Sequence, residues 1–125
     1  MNIDEPEALA SLTEASDAYE AALQDNDLDK MDQLFWDDFR TTRFGVRENL
    51  HGIAEIREFR IQRPGGAPAR DNLRRTITVF GPDHGHCAIE FRYRGNGALG
   101  RQTQMWVRLD GAWRVIGAHI SLLPA

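Results

Sequence analysis

Leu9, Leu12, Ser16, Tyr19 and Leu23 recur at steps of three and four, which predicts one face of an amphipathic helix. Pro6 suits its first turn, Glu5 and Glu7 suit its positive end, and Asp25-Asn26-Asp27 breaks it. Asp27 can cap a short second helix, Leu28 to Phe35, with Leu28, Met31, Leu34 and Phe35 turned inward. The acids Glu14, Asp17, Glu20 and Asp32 fall largely off these faces and read as solvated surface. Arg40 to Phe44 is a short β-like run closed by Gly45, and Glu48 to Gly52 is a turn. A third helix follows, in which Ile53, Ile56, Phe59 and Arg60 share a side and Arg63-Pro64-Gly65-Gly66 is the stop.

From Leu73 the period changes to two. Ile77 and Val79 alternate with Thr76, Thr78 and Phe80, and after the turn Gly81 to Gly85, Cys87, Ile89, Phe91 and Tyr93 alternate with Ala88, Glu90, Arg92 and Arg94. In the next strand Gln102, Gln104, Trp106 and Arg108 oppose Thr103, Met105, Val107 and Leu109. Asp110-Gly111 is a hairpin signal, and it returns the chain into Trp113, Val115, Gly117, His119 and Ser121 on one face. Helices followed by four strands with short turns predict an α+β fold, its helices against one face of an antiparallel sheet. At 125 residues, 1–125 is a single domain.

Charge changes the picture only locally. The net charge is −4, but residues 1–38 hold 12 acids and one base, Lys30, whereas residues 39–125 hold 7 acids and 14 arginines. An acidic chain is not a general nucleic-acid binder. No apolar run approaches the ~20 residues of a membrane span. Met1 to Glu7 lacks the basic and apolar regions of a signal peptide, and the single Cys87 fits a reducing compartment. The expected location is therefore cytoplasmic.

The informative residues are polar ones inside patterned segments. Tyr19 reads either as a core tyrosine or as a functional phenol. Arg43 reads either as a strand-surface arginine or, if it points between helices and sheet, as a carboxylate clamp that would favour the charged form of a neighbouring phenol. His119 and Ser121 share a strand face, which fits a hydrogen-bonded wall better than a nucleophilic triad. Gln102, Gln104 and Trp106 form a stripe that lines a pocket or meets a second subunit. His84, His86 and Cys87 lie at a turn without a second ligand pair, so no metal site is expected. Arg92-Tyr93-Arg94 reads as a charged strand face, and no glycine-rich phosphate loop is present.

These segments resemble a known family. Leu34-Phe35-Trp36, Arg40 to Gly45 and Glu48-Asn49-Leu50 with Gly52 carry the likeness, with Ile56-Arg57 and Phe59-Arg60 after them. Gly100 to Gln104, Trp106 to Leu109, the Gly111 hairpin with Trp113-Arg114-Val115, and Ala118 to Leu122 continue it. The architecture resembles the NTF2-like (SnoaL-like) cone, three helices packed in a strongly curved antiparallel sheet around a deep pocket. Within that superfamily the chain is similar to the AtzH-like group, which includes oxalurate-catabolism proteins and a dicarboxyurea amidohydrolase. The chain departs at His51, where an aromatic is expected, and at Phe39, where proline is common.

The resemblance implies a catalytic tyrosine and arginine at Tyr19 and Arg43. It implies a metal-independent amidohydrolase without cofactor, acting on a small anionic carboxylated urea such as 1,3-dicarboxyurea with release of ammonia and decarboxylation. Arg43 would bind a substrate carboxylate and polarise the reacting carbonyl, and Tyr19 would transfer a proton or act as nucleophile. Trp36, Gln104, Trp106, His119 and Ser121 are the expected pocket wall, and a homodimer or homotetramer the expected assembly. The alternative is a non-catalytic, anion-binding or dimerising subunit of an amidase. A ketosteroid-isomerase-like reading would need an acid deep in the cavity, for which Glu90 is the strand candidate.

Overall fold

A computed structural model describes all 125 residues. Helix α1 (Pro6–Asp25) starts where the Glu5 carboxylate accepts from the Glu7 and Ala8 amides, and it ends at left-handed Asn26. Helix α2 (Leu28–Leu34) is capped by Asp27, whose side chain accepts from the Lys30 amide. Phe35, expected in that helix, is already extended and forms a parallel bridge with Val115. Strands β1 (Thr42–Phe44) and β2 (Asn49–His51) then form a small hairpin before helix α3 (Ile53–Gln62). The Glu48–Gly52 turn thus contains a strand, because Gly45 donates to the Glu48 carbonyl at 2.9 Å and reverses the chain early.

Four long strands complete the chain: β3 (Arg70–Phe80), β4 (His84–Tyr93), β5 (Leu99–Leu109) and β6 (Ala112–Leu122). They pair antiparallel in sequence, as the hairpin signals predict. The sheet nevertheless has six strands, in the order β2-β1-β6-β5-β4-β3, and β1 runs parallel to β6. The sheet is mixed, since β1 joins it through a crossover containing α3 rather than a hairpin. No helix is long and apolar enough to cross a membrane.

Register decides which side chains face the helices. Arg43 lies beside Ala118, Ala118 beside Gln104, and Gln104 beside Cys87, so these four share the inner face. In the next row Ile120, Gln102 and Ile89 do the same. Strand β6 has a bulge: Met105 pairs with Gly117 but Trp106 with Val115, leaving Ile116 as the extra residue. Trp113 and Val115 therefore face inward before the bulge, and Ala118 and Ile120 after it. Strict alternation predicts His119 and Ser121 on the face of Trp113. The bulge turns them to the outer face, where His119 is exposed and Ser121 lies beside exposed Arg101.

The acids of the helices are not all surface. Asp32 accepts from the buried Arg60 guanidinium at 2.7 Å, and Glu20 from Arg70 at 2.7 Å, with both arginines nearly sealed from solvent. A long arginine from α3 or β3 reaches each carboxylate across the layers, which helix periodicity cannot reveal.

Candidate functional site

Tyr19 of α1 and Arg43 of β1 line one cavity of about 40 Å3. Its wall also contains Arg63, Arg70, Tyr93 and Gln102, with Leu23, Ala67, Pro68 and Ile120 as the apolar part. Tyr19 is there because the α1 period places it on the buried stripe, its ring tilted on Phe35 at 5.6 Å. Arg43 is there because its register partner Ala118 faces inward and is too small to fill the space.

Each charged group around the cavity has a distinct setting. The Arg43 Nη1 donates to Glu48 Oε1 at 2.8 Å, and its guanidinium stacks on the Phe59 ring at 5.0 Å. The expected carboxylate clamp is thus already held on one side by a carboxylate of the protein. Arg70 donates to Glu20 Oε1 at 2.7 Å and to Gln102 Oε1 at 3.0 Å, while Gln102 Nε2 donates to Glu20 Oε2 at 3.1 Å. This closed triangle fixes the Gln102 amide, and Arg70 lies over the Phe91 ring at 4.4 Å. Arg63 stacks on Phe59 at 5.1 Å, so that one ring carries two cations. Burial, followed by repulsion from Arg43, holds the Arg63 guanidinium below the usual arginine range.

A larger groove of about 660 Å3 adjoins this cavity and shares Leu23, Ala67, Pro68 and Arg70 with it. It runs between α1 and residues 64–69 and is lined by Glu20, Gln24, Asn72 and Arg94 among others. Size favours the groove, but the phenol and the Arg43 guanidinium open into the smaller space. Tyr19 and Arg43 line only the smaller cavity of the two, and the groove adjoins it.

The expected wall fares differently. Gln104 and Trp106 face inward but sit apart from the cavity, buried, with Trp106 Nε1 donating to Gln104 Oε1 at 3.2 Å. Trp36 lies beyond the end of α2, its ring covered by the Arg40 guanidinium at 4.8 Å. His119 and Ser121 are on the outer sheet face, and His119 and His51 both meet Phe44 edge-on, at 6.1 and 5.4 Å. Neither His51 nor the exposed Phe39 lines the cavity. Glu90 is exposed on the outer face, so it cannot serve as the deep acid of an isomerase-like site. Arg63, Arg70 and Tyr93 had no sequence signal as site residues: the first belongs to a helix stop, and the others to the ends of strands.

The AtzH-like family model matches residues 1–125. A protein of unknown function from Pectobacterium atrosepticum is 41% identical, with a TM-score of 0.94 over 98% of this chain and 95% of its own. A cystatin-like fold protein from Burkholderia xenovorans is 35% identical, with a TM-score of 0.95 over 100% of this chain and 98% of its own. An NTF2-like superfamily protein from Salmonella enterica shares the fold at 21% identity, with a TM-score of 0.78 over 95% of this chain and 93% of its own. No curated protein matches. The three helices and six-stranded mixed sheet are thus an NTF2-like α+β fold.

Proposed function

The chain belongs to the AtzH-like family, and from that premise we propose that it is an amidohydrolase of small carboxylated ureas, with 1,3-dicarboxyurea as the reference substrate. The observation that carries this reading is the convergence of Tyr19 and Arg43 on one cavity whose other polar groups are guanidinium, phenol and amide. Such a lining suits a planar, oxygen-rich anion.

In this reading Arg43 binds the reacting end of the substrate through the donors that Glu48 leaves free and polarises the carbonyl. Water adds its hydroxyl to the carbonyl carbon, the C–N bond breaks, and the leaving nitrogen takes a proton. It departs as a carbamate, which decomposes to carbon dioxide and ammonia. Tyr19, a phenol lining the same cavity as Arg43, transfers the proton. Glu48 positions Arg43, and the Glu20–Arg70–Gln102 triangle holds the opposite wall rigid.

Purified protein incubated with 1,3-dicarboxyurea, oxalurate and related carboxyureas tests the proposal through ammonia release. Turnover that depends on Tyr19 and Arg43 supports it. No ammonia from any of them, together with complex formation with an amidase, would replace it with the accessory-subunit reading.

A further inference from the structure

The guanidinium groups of Arg43, Arg63 and Arg70 line one cavity, yet only two of them have an acid. Glu48 answers Arg43 and Glu20 answers Arg70. Arg63 enters none of the protein's salt bridges. Its Nε is buried without a hydrogen-bond partner. The cations acting on it, Arg43 and Arg60, repel it; the groups that attract it are the Tyr19 phenol and Glu48, and the only carboxylate among them, Glu48, is already hydrogen-bonded to Arg43. A partly buried cation among like charges is unfavourable until an anion joins it. Position adds to this: Arg63 closes α3 and leads into the 64–69 segment between cavity and groove.

We propose that Arg63 is the anchor for a carboxylate of the substrate remote from the reacting carbonyl. Recognition is then two-ended: Arg43 and Arg63, stacked on the one Phe59 ring, take the reacting end and the far carboxylate. The cavity thereby selects for charge as well as shape, since a neutral amide of the same outline leaves Arg63 unmatched. Arg63 is a specificity residue in this account, and the account rests on the cavity being the reaction site.

Titration calorimetry on the full chain tests it with glutarate, which has the span of a dicarboxylated urea without a scissile C–N bond, and with neutral glutaramide. Wild type should bind glutarate. Arg63→Gln should weaken glutarate about tenfold or more, ~1.4 kcal/mol, and leave glutaramide within about twofold on the same scale. Arg63→Lys should recover part of the loss, because it keeps the charge and loses the planar fork. Unchanged glutarate affinity in Arg63→Gln, equal losses for both ligands, or no glutarate binding by wild type would each overturn the anchor. If Arg63→Gln does not fold, Arg63→Lys carries the test, and unchanged affinity for both ligands overturns the proposal. Ammonia release from 1,3-dicarboxyurea separates the two readings. Arg63-dependent glutarate binding without turnover removes the hydrolase and keeps the anchor. Turnover with an unaltered KM in Arg63→Gln removes the anchor and keeps the hydrolase.

Discussion

The Glu48 carboxylate occupies the space where a Cβ on Gly45 would stand. The absence of a side chain at Gly45 lets Glu48 fold back under the β1–β2 turn and reach Arg43 at 2.8 Å. Gly45→Ala should therefore push the carboxylate aside and release Arg43 from its orientation, without disturbing the long strands. Steady-state ammonia release should fall roughly 13–160-fold, the ~1.5–3 kcal/mol range of a hydrogen bond to a charged group. Glu48→Gln should act in the same direction and less strongly, since it keeps an acceptor. Arg43→Ala should reduce kcat/KM further, by about a thousandfold, if Arg43 both binds and polarises the substrate. Gly45→Ala with wild-type kinetics would show that Glu48 does not position Arg43.

Tyr19 divides into a ring that packs and a hydroxyl at the cavity. The ring belongs to the buried core and rests on Phe35. Tyr19→Phe keeps that packing, so thermal unfolding should change by less than about 1 kcal/mol, the usual scale of one hydrogen bond. Turnover should fall by roughly 10²–10⁴-fold, the range for a lost proton-transfer group. A large fall in melting temperature with little loss of turnover would return Tyr19 to a purely structural role.

How much of this was legible depends on how local the determining signal is. Tyr19 could be placed because α1 is a regular helix and a three-four period survives over its whole length. Asp27, Asp110 and Gly111 marked their boundaries through chemistry confined to a single turn. One residue, Ile116, sets His119 and Ser121 against strict alternation, because its bulge is a property of the β5–β6 pairing and is invisible in either strand alone. A second shift near Leu73 likewise leaves that residue exposed where a leucine invites a core reading. Arg70 and Arg63 leave no sequence signal for another reason. Their guanidinium groups act far along the side chain from their backbones, so no spacing rule connects Arg70 with Glu20, which lies fifty positions away. Arg43 required the parallel pairing of β1 with β6 before its direction was settled, and the family likeness supplied what the three-residue strand could not.

Cys87 offers a probe of the core beneath the site. It is fully buried between the sheet and α1, its Sγ 3.6 Å from Ser16 Oγ, and burial pushes the thiol up from its ordinary value. A raised value means that the native state holds the proton more tightly than the unfolded chain. The stabilising difference is complete below the unfolded thiol value and is lost as pH rises through the native one. Alkylation of native protein at neutral pH should be slow compared with the denatured chain and should track global opening. Rapid labelling under native conditions would show that α1 separates from the sheet far more readily than this packing allows.

At the other end of α1, Arg108 of β5 holds Glu7 through two hydrogen bonds, at 3.0 and 3.2 Å, and also donates to the Pro82 carbonyl at 2.7 Å. It ties the first helical turn to the β3–β4 turn, with its guanidinium over Trp113 at 4.8 Å. The hydrogen bond from Arg108 holds Glu7 below the usual carboxylate range. Below the unfolded carboxylate value the unfolded chain binds the proton more readily than the native one, so acid favours unfolding. The contribution is present above about pH 4.5 and is lost as pH falls through the native value. Glu7→Gln should therefore be less stable than wild type at pH 7, with the difference shrinking as the pH falls below that point. Urea unfolding across a pH series measures this. A gap that stays constant down to strongly acid pH would assign the Glu7 contribution to packing and exclude its ion pair with Arg108 as the cause.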